Sequence, residues 1–192
     1  MNLYKVQQYF YPYRILDIGA NIGQFFTLAR QTFPESYIFS IEASEACEPL
    51  LSKTVDHYYI GLLAKHNTEY KYYSRKGDPT CTGNSIYREL TSYYSEDQLE
   101  IIKKKGIKLD DLFENETEFD LIKIDTQGSE LDIISGGLNL CSKAKGILLE
   151  VSMTPYNQNA PLYETDNTHR SKVWRVCNSK QNPQDGAPRA SK

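Results

Sequence analysis

The stretch "RILDIGANIGQFF", residues 14–26, decides the fold. Its first residues, RILDI, form a short apolar run of the kind that parallel sheets bury on both faces. The run carries a carboxylate at Asp17 and gives way to Gly19, Asn21 and Gly23. A helical spacing of Phe25, Phe26, Leu28, Ala29 and Phe33 follows, stopped by Pro34. A strand, a tight glycine turn and a helix in that order open a βαβ unit. Two uses of Gly19 and Gly23 stay open: packing of strand on helix, or close approach of backbone to a ligand.

Working outward, "SYIFSIEA" (36–43) predicts a second strand with Glu42 at its end. Ser44 is a fitting N-cap for a helix through "EACEPLLSK", provided Pro49 sits in the first turn. "HYYIGLLAK" (57–65) reads as a third strand, and "TEYKYYSR" (68–75) as an added edge strand. "KGDPTCTGN" (76–84) is a loop, whose readings are a mobile surface segment or a lid. "LEIIKKKGIKLDDLF" (99–113) splits into a strand and a short helix from Leu109. "FDLIKID" (119–125) is the strongest strand. "SELDIISGGLNL" (129–140) is helical, with Leu131, Ile134 and Leu138 sharing a face and Gly136–Gly137 weakening its end. "KGILLEVS" (145–152) is another buried strand.

This alternation predicts a doubly wound, mostly parallel α/β sheet. Such sheets bind ligands outside the carboxyl ends of their strands. Asp17, Glu42, Asp125 and Glu150 all fall at or near those ends.

The length, 192 residues, suits one domain at 14–164, with a lead-in at 1–13 and a polar tail at 165–192. The tail's composition predicts disorder. Its six basic residues against two acidic ones from Thr165 onward fit a solvated end better than a nucleic-acid contact, and the net charge of −3 favours no polyanionic partner. Cys47, Cys81, Cys141 and Cys177 are scattered without zinc-like spacing and read as thiols in a reducing compartment. "MNLYKVQQYFYPYR" lacks a signal pattern, and no apolar run approaches the ~18 residues of a membrane span. The expectation is a cytoplasmic chain with no membrane span. The one sequon, Asn115-Glu116-Thr117, then reads as chance.

The glycine turn separates two ligand classes. A dinucleotide turn wants G-x-G-x-x-G, with helix N–H groups free for pyrophosphate. Here the pattern is D-x-G-x-N-x-G over Asp17, Gly19, Asn21 and Gly23. A carboxylate beside the turn opposes a pyrophosphate and suits an ammonium group. S-adenosylmethionine (SAM) has that group, no phosphate, and a ribose diol for which Glu42 is a fitting acceptor; Asp17 would orient its amino-acid end, either directly or through the Gly19 loop. The pattern favours SAM over NAD.

"ILDIGANIG" resembles the first motif of class I SAM-dependent methyltransferases. "FDLIKIDTQGSELDIISGG" followed by "ILLEVSMTPYNQNAPLYE" resembles the FkbM family within that class, as do "TGNSIYREL" (82–90) and "IKLDDLF" (107–113) in order between them. The resemblance covers roughly residues 14–164. It implies a Rossmann-like fold and O-methylation of a hydroxyl on a sugar or hydroxylated natural product, with a small-molecule or glycan acceptor as partner. It also places Asn84, Ser85 and Arg88 close to ligand. A homo-oligomer is compatible with it.

An aliphatic hydroxyl needs a base or a metal to become nucleophilic. Asp125, at the tip of "FDLIKID", is the best base and also a cofactor-side candidate. Glu130 has two readings, helix capping or an acceptor-site role. Asp125 and Glu130 alone make a weak metal pair, so no metal is assigned. Glu150 is open between a structural and an acceptor role. His57, His66 and the tyrosines at 72, 73, 93 and 94 are weaker candidates for base and pocket wall. The complete class I fold adds a C-terminal strand hairpin, for which only "KVWRV" (172–176) offers material, leaving that hairpin missing in this reading. A truncated, non-catalytic SAM-fold binding or interaction module is therefore the alternative.

Overall fold

Apolar runs alternating with amphipathic segments give six main-sheet strands interleaved with helices. The computed structural model describes residues 3–114, 117–151, 155–161 and 173–177, with backbone alone at 151 and 173–177. The order is α1 (Tyr4–Gln7), β1 (Arg14–Ile18), α2 (Gln24–Thr32), β2 (Tyr37–Glu42), α3 (Glu48–Thr54), β3 (His57–Ile60), β4 (Leu62–Leu63) and β5 (Glu69–Arg75). There follow β6 (Leu99–Ile107), α4 (Leu109–Leu112), β7 (Leu121–Ile124), α5 (Glu130–Gly136), α6 (Leu138–Lys143), β8 (Gly146–Val151) and β9 (Val173–Cys177).

The main sheet runs β3-β2-β1-β7-β8-β9, and its first five strands are parallel. The order reverses between β1 and β7, which is where such sheets open a crevice. Strand residues alternate between two covered faces. Ile15, Ile38 and Leu121 pack with Phe25, Phe26, Ala29 and Leu51 of α2 and α3. Leu16, Ile18 and Ile122 pack with Leu109, Ile133 and Leu140 of α4 to α6. Ile15 and Leu16 are both fully buried, as the unbroken apolar run requires. Each such side chain adds about 1.5–3 kcal/mol of burial.

Three sequence expectations change. The third strand ends at Gly61, whose N–H is taken by the Glu42 carbonyl. The chain then leaves the main sheet, and β4 pairs with β6. "TEYKYYSR" is accordingly not an edge of the main sheet; as β5 it pairs antiparallel with β6 in a separate three-stranded sheet. The helix over 129–140 breaks at Gly137 into α5 and α6, and Leu131 and Leu138 point outward, 49% and 63% exposed. The buried positions are Ile133, Leu140 and Cys141.

In the segment expected to be a disordered tail, 165–192, Val173–Cys177 is instead a strand, antiparallel to β8. It covers a sheet edge that the missing hairpin would have exposed. The rest of that segment and the sequon's Asn115 and Glu116 lie outside the described residues. Among the described residues no helix is long and apolar enough to cross a membrane.

Candidate functional site

A cavity of about 360 Å³ opens at the carboxyl ends of β1, β2 and β7, within the range of small-molecule sites. The turn after β1, the tip of β2 and the turn after β7 form its floor and sides. The strap around Cys81–Ile86 forms another wall.

Glu42, 8% exposed, lines the cavity at the tip of β2. Its Oε2 accepts the Asn21 N–H at 2.8 Å, and its Oε1 accepts the Ser44 N–H at 2.8 Å. Burial pushes its carboxyl above the ordinary value, against these hydrogen bonds. The turn that would offer a free N–H to a phosphate has therefore given one to the protein's own carboxylate. Each Glu42 oxygen keeps acceptor capacity for a hydroxyl.

Asn21, in the left-handed region at φ 50°, also donates its side-chain amide to the Thr80 carbonyl at 2.7 Å. Ser44 Oγ donates to the Pro79 carbonyl at 2.9 Å. The two residues whose backbone holds Glu42 thus hold the strap with their side chains.

The glycines serve packing more than ligand clearance. A Cβ on Gly19 (φ 76°) would collide with the Asp125 carbonyl, and one on Gly23 (φ 96°) with Thr54 of α3. Gly19 backbone still lines the cavity, as does Asn21; Gly23 does not.

Asp17 departs furthest from expectation. It is fully buried, lies outside the cavity lining, and meets Lys123 of β7 at 3.0 Å. Lys123 also donates to the carbonyls of Ile18 (3.2 Å) and Gly19 (2.9 Å). Burial works against its charge, but Asp17 first, then Asp125 and Glu42, hold the ammonium above its ordinary pKa. Asp17 is thus the counter-ion of an internal lysine that also holds the Gly19 carbonyl, which leaves the indirect route through the Gly19 loop as its link to the cavity. A lone Lys inside the apolar run "LIKI" was the available signal, since a buried lysine needs a partner.

Asp125 lines the cavity where β7 ends, its Oδ2 3.9 Å from Lys123 Nζ. Its Oδ1 accepts the Gln127 side-chain amide at 2.9 Å. Glu130 does not line the cavity. Its carboxylate accepts the backbone N–H groups of Thr126 (2.8 Å) and Gly128 (3.0 Å), a structural role that braces the turn ahead of α5 without capping the helix itself. Burial raises its carboxyl as well. Glu150, also buried, lies behind Gln127 at 3.4 Å.

Of the weaker candidates, Tyr72, Asn84 and Ser85 line the cavity, whereas His57, His66, Tyr73, Arg88, Tyr93 and Tyr94 do not. His57 stacks on Tyr37 at the sheet edge. Tyr94 donates to Asn84 Oδ1 at 2.9 Å, bracing the strap. Among the described residues no group of three or more metal-ligating side chains is placed to hold an ion. Cys47 and Cys141 are free, and burial pushes both thiols up to about 12.

This strand order and a cavity ringed by strand-tip acids define a Rossmann-like α/β protein of the doubly wound class. A family model described as the methyltransferase FkbM domain matches residues 17–176, most of the chain. The chain belongs to that family. A crystal structure of methyltransferase FkbM from Methylobacillus flagellatus KT is 14% identical, with a TM-score of 0.47. The match covers 72% of this chain and 32% of that one, so the chain spans about a third of that protein's length. No curated protein matches.

Proposed function

We propose that this chain binds SAM in the strand-tip cavity and promotes methyl transfer to a hydroxyl of a sugar or other hydroxylated small molecule. The observation that carries the reading is the charge arrangement. Among the described residues Lys123 is the one cation in the lining, and it is paired with Asp17 and donates to two carbonyls. Two carboxylates, Glu42 and Asp125, line the same space. That arrangement fits a ligand with hydroxyls and positive charge better than a diphosphate, which would face two carboxylates.

Glu42 would accept the ribose hydroxyls, with the Gly19–Asn21 backbone alongside. Bound SAM would supply an electrophilic methyl on a sulfonium centre. Asp125 would accept the proton of the acceptor hydroxyl, and the strap would keep water out of the cavity. An acid touching the sulfonium would stabilise the ground state more than the transition state, so the reading keeps Glu42 at the ribose end of the ligand and Asp125 on the acceptor side, off the sulfur.

Calorimetry with SAM and, separately, NAD tests this. SAM binding is expected, weakened at least tenfold (about 1.4 kcal/mol) in Glu42→Ala. NAD binding in preference to SAM, or SAM binding indifferent to Glu42, overturns it. Conversion of SAM to S-adenosylhomocysteine with a panel of hydroxylated sugars then separates an enzyme from a binding module.

A further inference from the structure

Gln127 combines three features that no packing role explains. It is a non-glycine residue in the left-handed region, at φ 57°. It lines the cavity. Its side-chain amide reaches both acids at the ends of β7 and β8, Asp125 Oδ1 at 2.9 Å and Glu150 Oε2 at 3.4 Å.

A left-handed backbone at such a residue persists only when its surroundings over-determine it. Here they do. Glu130 takes the N–H groups on both sides of Gln127, those of Thr126 and Gly128. Ser85 Oγ and Ser129 Oγ both donate to the Thr126 carbonyl, at 3.1 and 3.3 Å. The turn is clamped from the strap on one side and from the first turn of α5 on the other. The buried charge of Glu130 is spent on keeping this one conformation.

We propose that Gln127 is a positioning residue for the reaction: its amide, held in a strained turn by Glu130, fixes the Asp125 carboxylate at the wall of the cavity where the acceptor hydroxyl arrives. Without the amide, Asp125 Oδ1 loses its donor, and the acid is free to turn toward Lys123 Nζ, now 3.9 Å from its other oxygen. An Asp125 collapsed onto the lysine would be a poorer proton acceptor. Glu130 acts at one further remove, through Gln127. This rests on the reading of the cavity as a methyl-transfer site, and the tests separate the two.

Two variants isolate the roles. Gln127→Gly relieves the backbone and deletes the amide; Gln127→Leu keeps a side chain of similar bulk without the amide. If the turn is held under strain, Gln127→Gly melts about 2–4 °C above Gln127→Leu, which lacks the amide equally but keeps a side chain at the left-handed φ. Crystal structures of wild type and Gln127→Leu should show the Asp125 carboxylate in different rotamers. With an acceptor, Gln127→Leu should lose at least tenfold in kcat while the calorimetric affinity for SAM stays within about twofold. A Gln127→Gly that melts below Gln127→Leu, or an Asp125 that keeps its place in Gln127→Leu, overturns the proposal. Neither readout requires SAM, so failure of wild type to bind SAM would count against the cavity's assignment and leave these results to decide the role of Gln127.

Discussion

Asp17 of β1 and Lys123 of β7 are register partners in adjacent parallel strands, and their charges meet at 3.0 Å with both side chains buried. Their row continues to Ser40 of β2, so a polar stripe crosses the sheet beneath α2. The Lys123 ammonium lies 5.5 Å from the Phe25 ring centre on that face. Through its bonds to the Ile18 and Gly19 carbonyls, Lys123 ties the start of the glycine turn to β7. The acid that marks the turn in the sequence works through this lysine.

Lys123→Met should therefore be severe. It leaves Asp17 buried and without its counter-ion, at a cost of about 3–5 kcal/mol. Asp17→Asn combined with Lys123→Met removes both charges and should recover most of that loss. Urea denaturation of the two single variants and the double gives the coupling directly. A Lys123→Met as stable as wild type would show that the pair does not hold this row together.

Glu42 makes a pH prediction. Burial holds its carboxyl above the ordinary 4.5, so the folded chain keeps this proton to higher pH than the unfolded chain. The stability it contributes is complete below about 4.5 and is lost as pH rises through the folded value. Glu42→Gln has no proton to lose there. Urea melts at a series of pH values from about 4 to about 8 should move the difference steadily in favour of Glu42→Gln. The same variant should bind SAM at least tenfold more weakly, an exchange of function for stability.

The strand tips were legible because buried strands are apolar, and a carboxylate interrupting one stands out. Asp17, Glu42, Asp125 and Glu150 were all found that way. Which of them lines the cavity was not legible, because it depends on strand register between segments far apart in the chain. Pairing of Asp17 with Lys123 removes it from the cavity, and Glu42 stays because its partners are backbone amides. Gln127 carries no compositional signal; its part depends on a backbone angle that side-chain chemistry does not announce. The second sheet was missed for a similar reason, since "HYYIGLLAK" is apolar on both sides of Gly61, where the chain changes sheets.

The strap gives a third prediction. Asn21→Gly keeps a residue suited to φ 50° and deletes, along with the exposed bond from Gln24 and the long contact to Cys47, the amide bonded to Thr80. Loss of that bond, worth about 1 kcal/mol, should open the strap roughly fivefold more often. Trypsin cleavage after Lys76, which is exposed, should accelerate accordingly. Ser44→Ala removes the neighbouring bond to Pro79, and because both bonds hold one segment the effects should not add independently. Equal cleavage rates in wild type and Asn21→Gly would mean that this bond does not control the strap.

The phase of α5 gives the last. A continuous helix over 129–140 would bury Leu131, Ile134 and Leu138 together, but Glu130 is turned inward to clamp the turn at 126–128. That fixes Ile133, one turn on, against the sheet at 1% exposure and sends Leu131 to solvent. The break at Gly137 then restarts the phase, so that α6 buries Leu140 and Cys141 and exposes Leu138. Ile133→Ala should cost about 2–5 kcal/mol through the cavity it leaves. Leu131→Lys and Leu138→Lys should each stay within about 0.5 kcal/mol of wild type. Urea denaturation of the three variants distinguishes the arrangements, because a continuous helix would make Leu138→Lys the most damaging of them and leave Ile133 at the margin of the core.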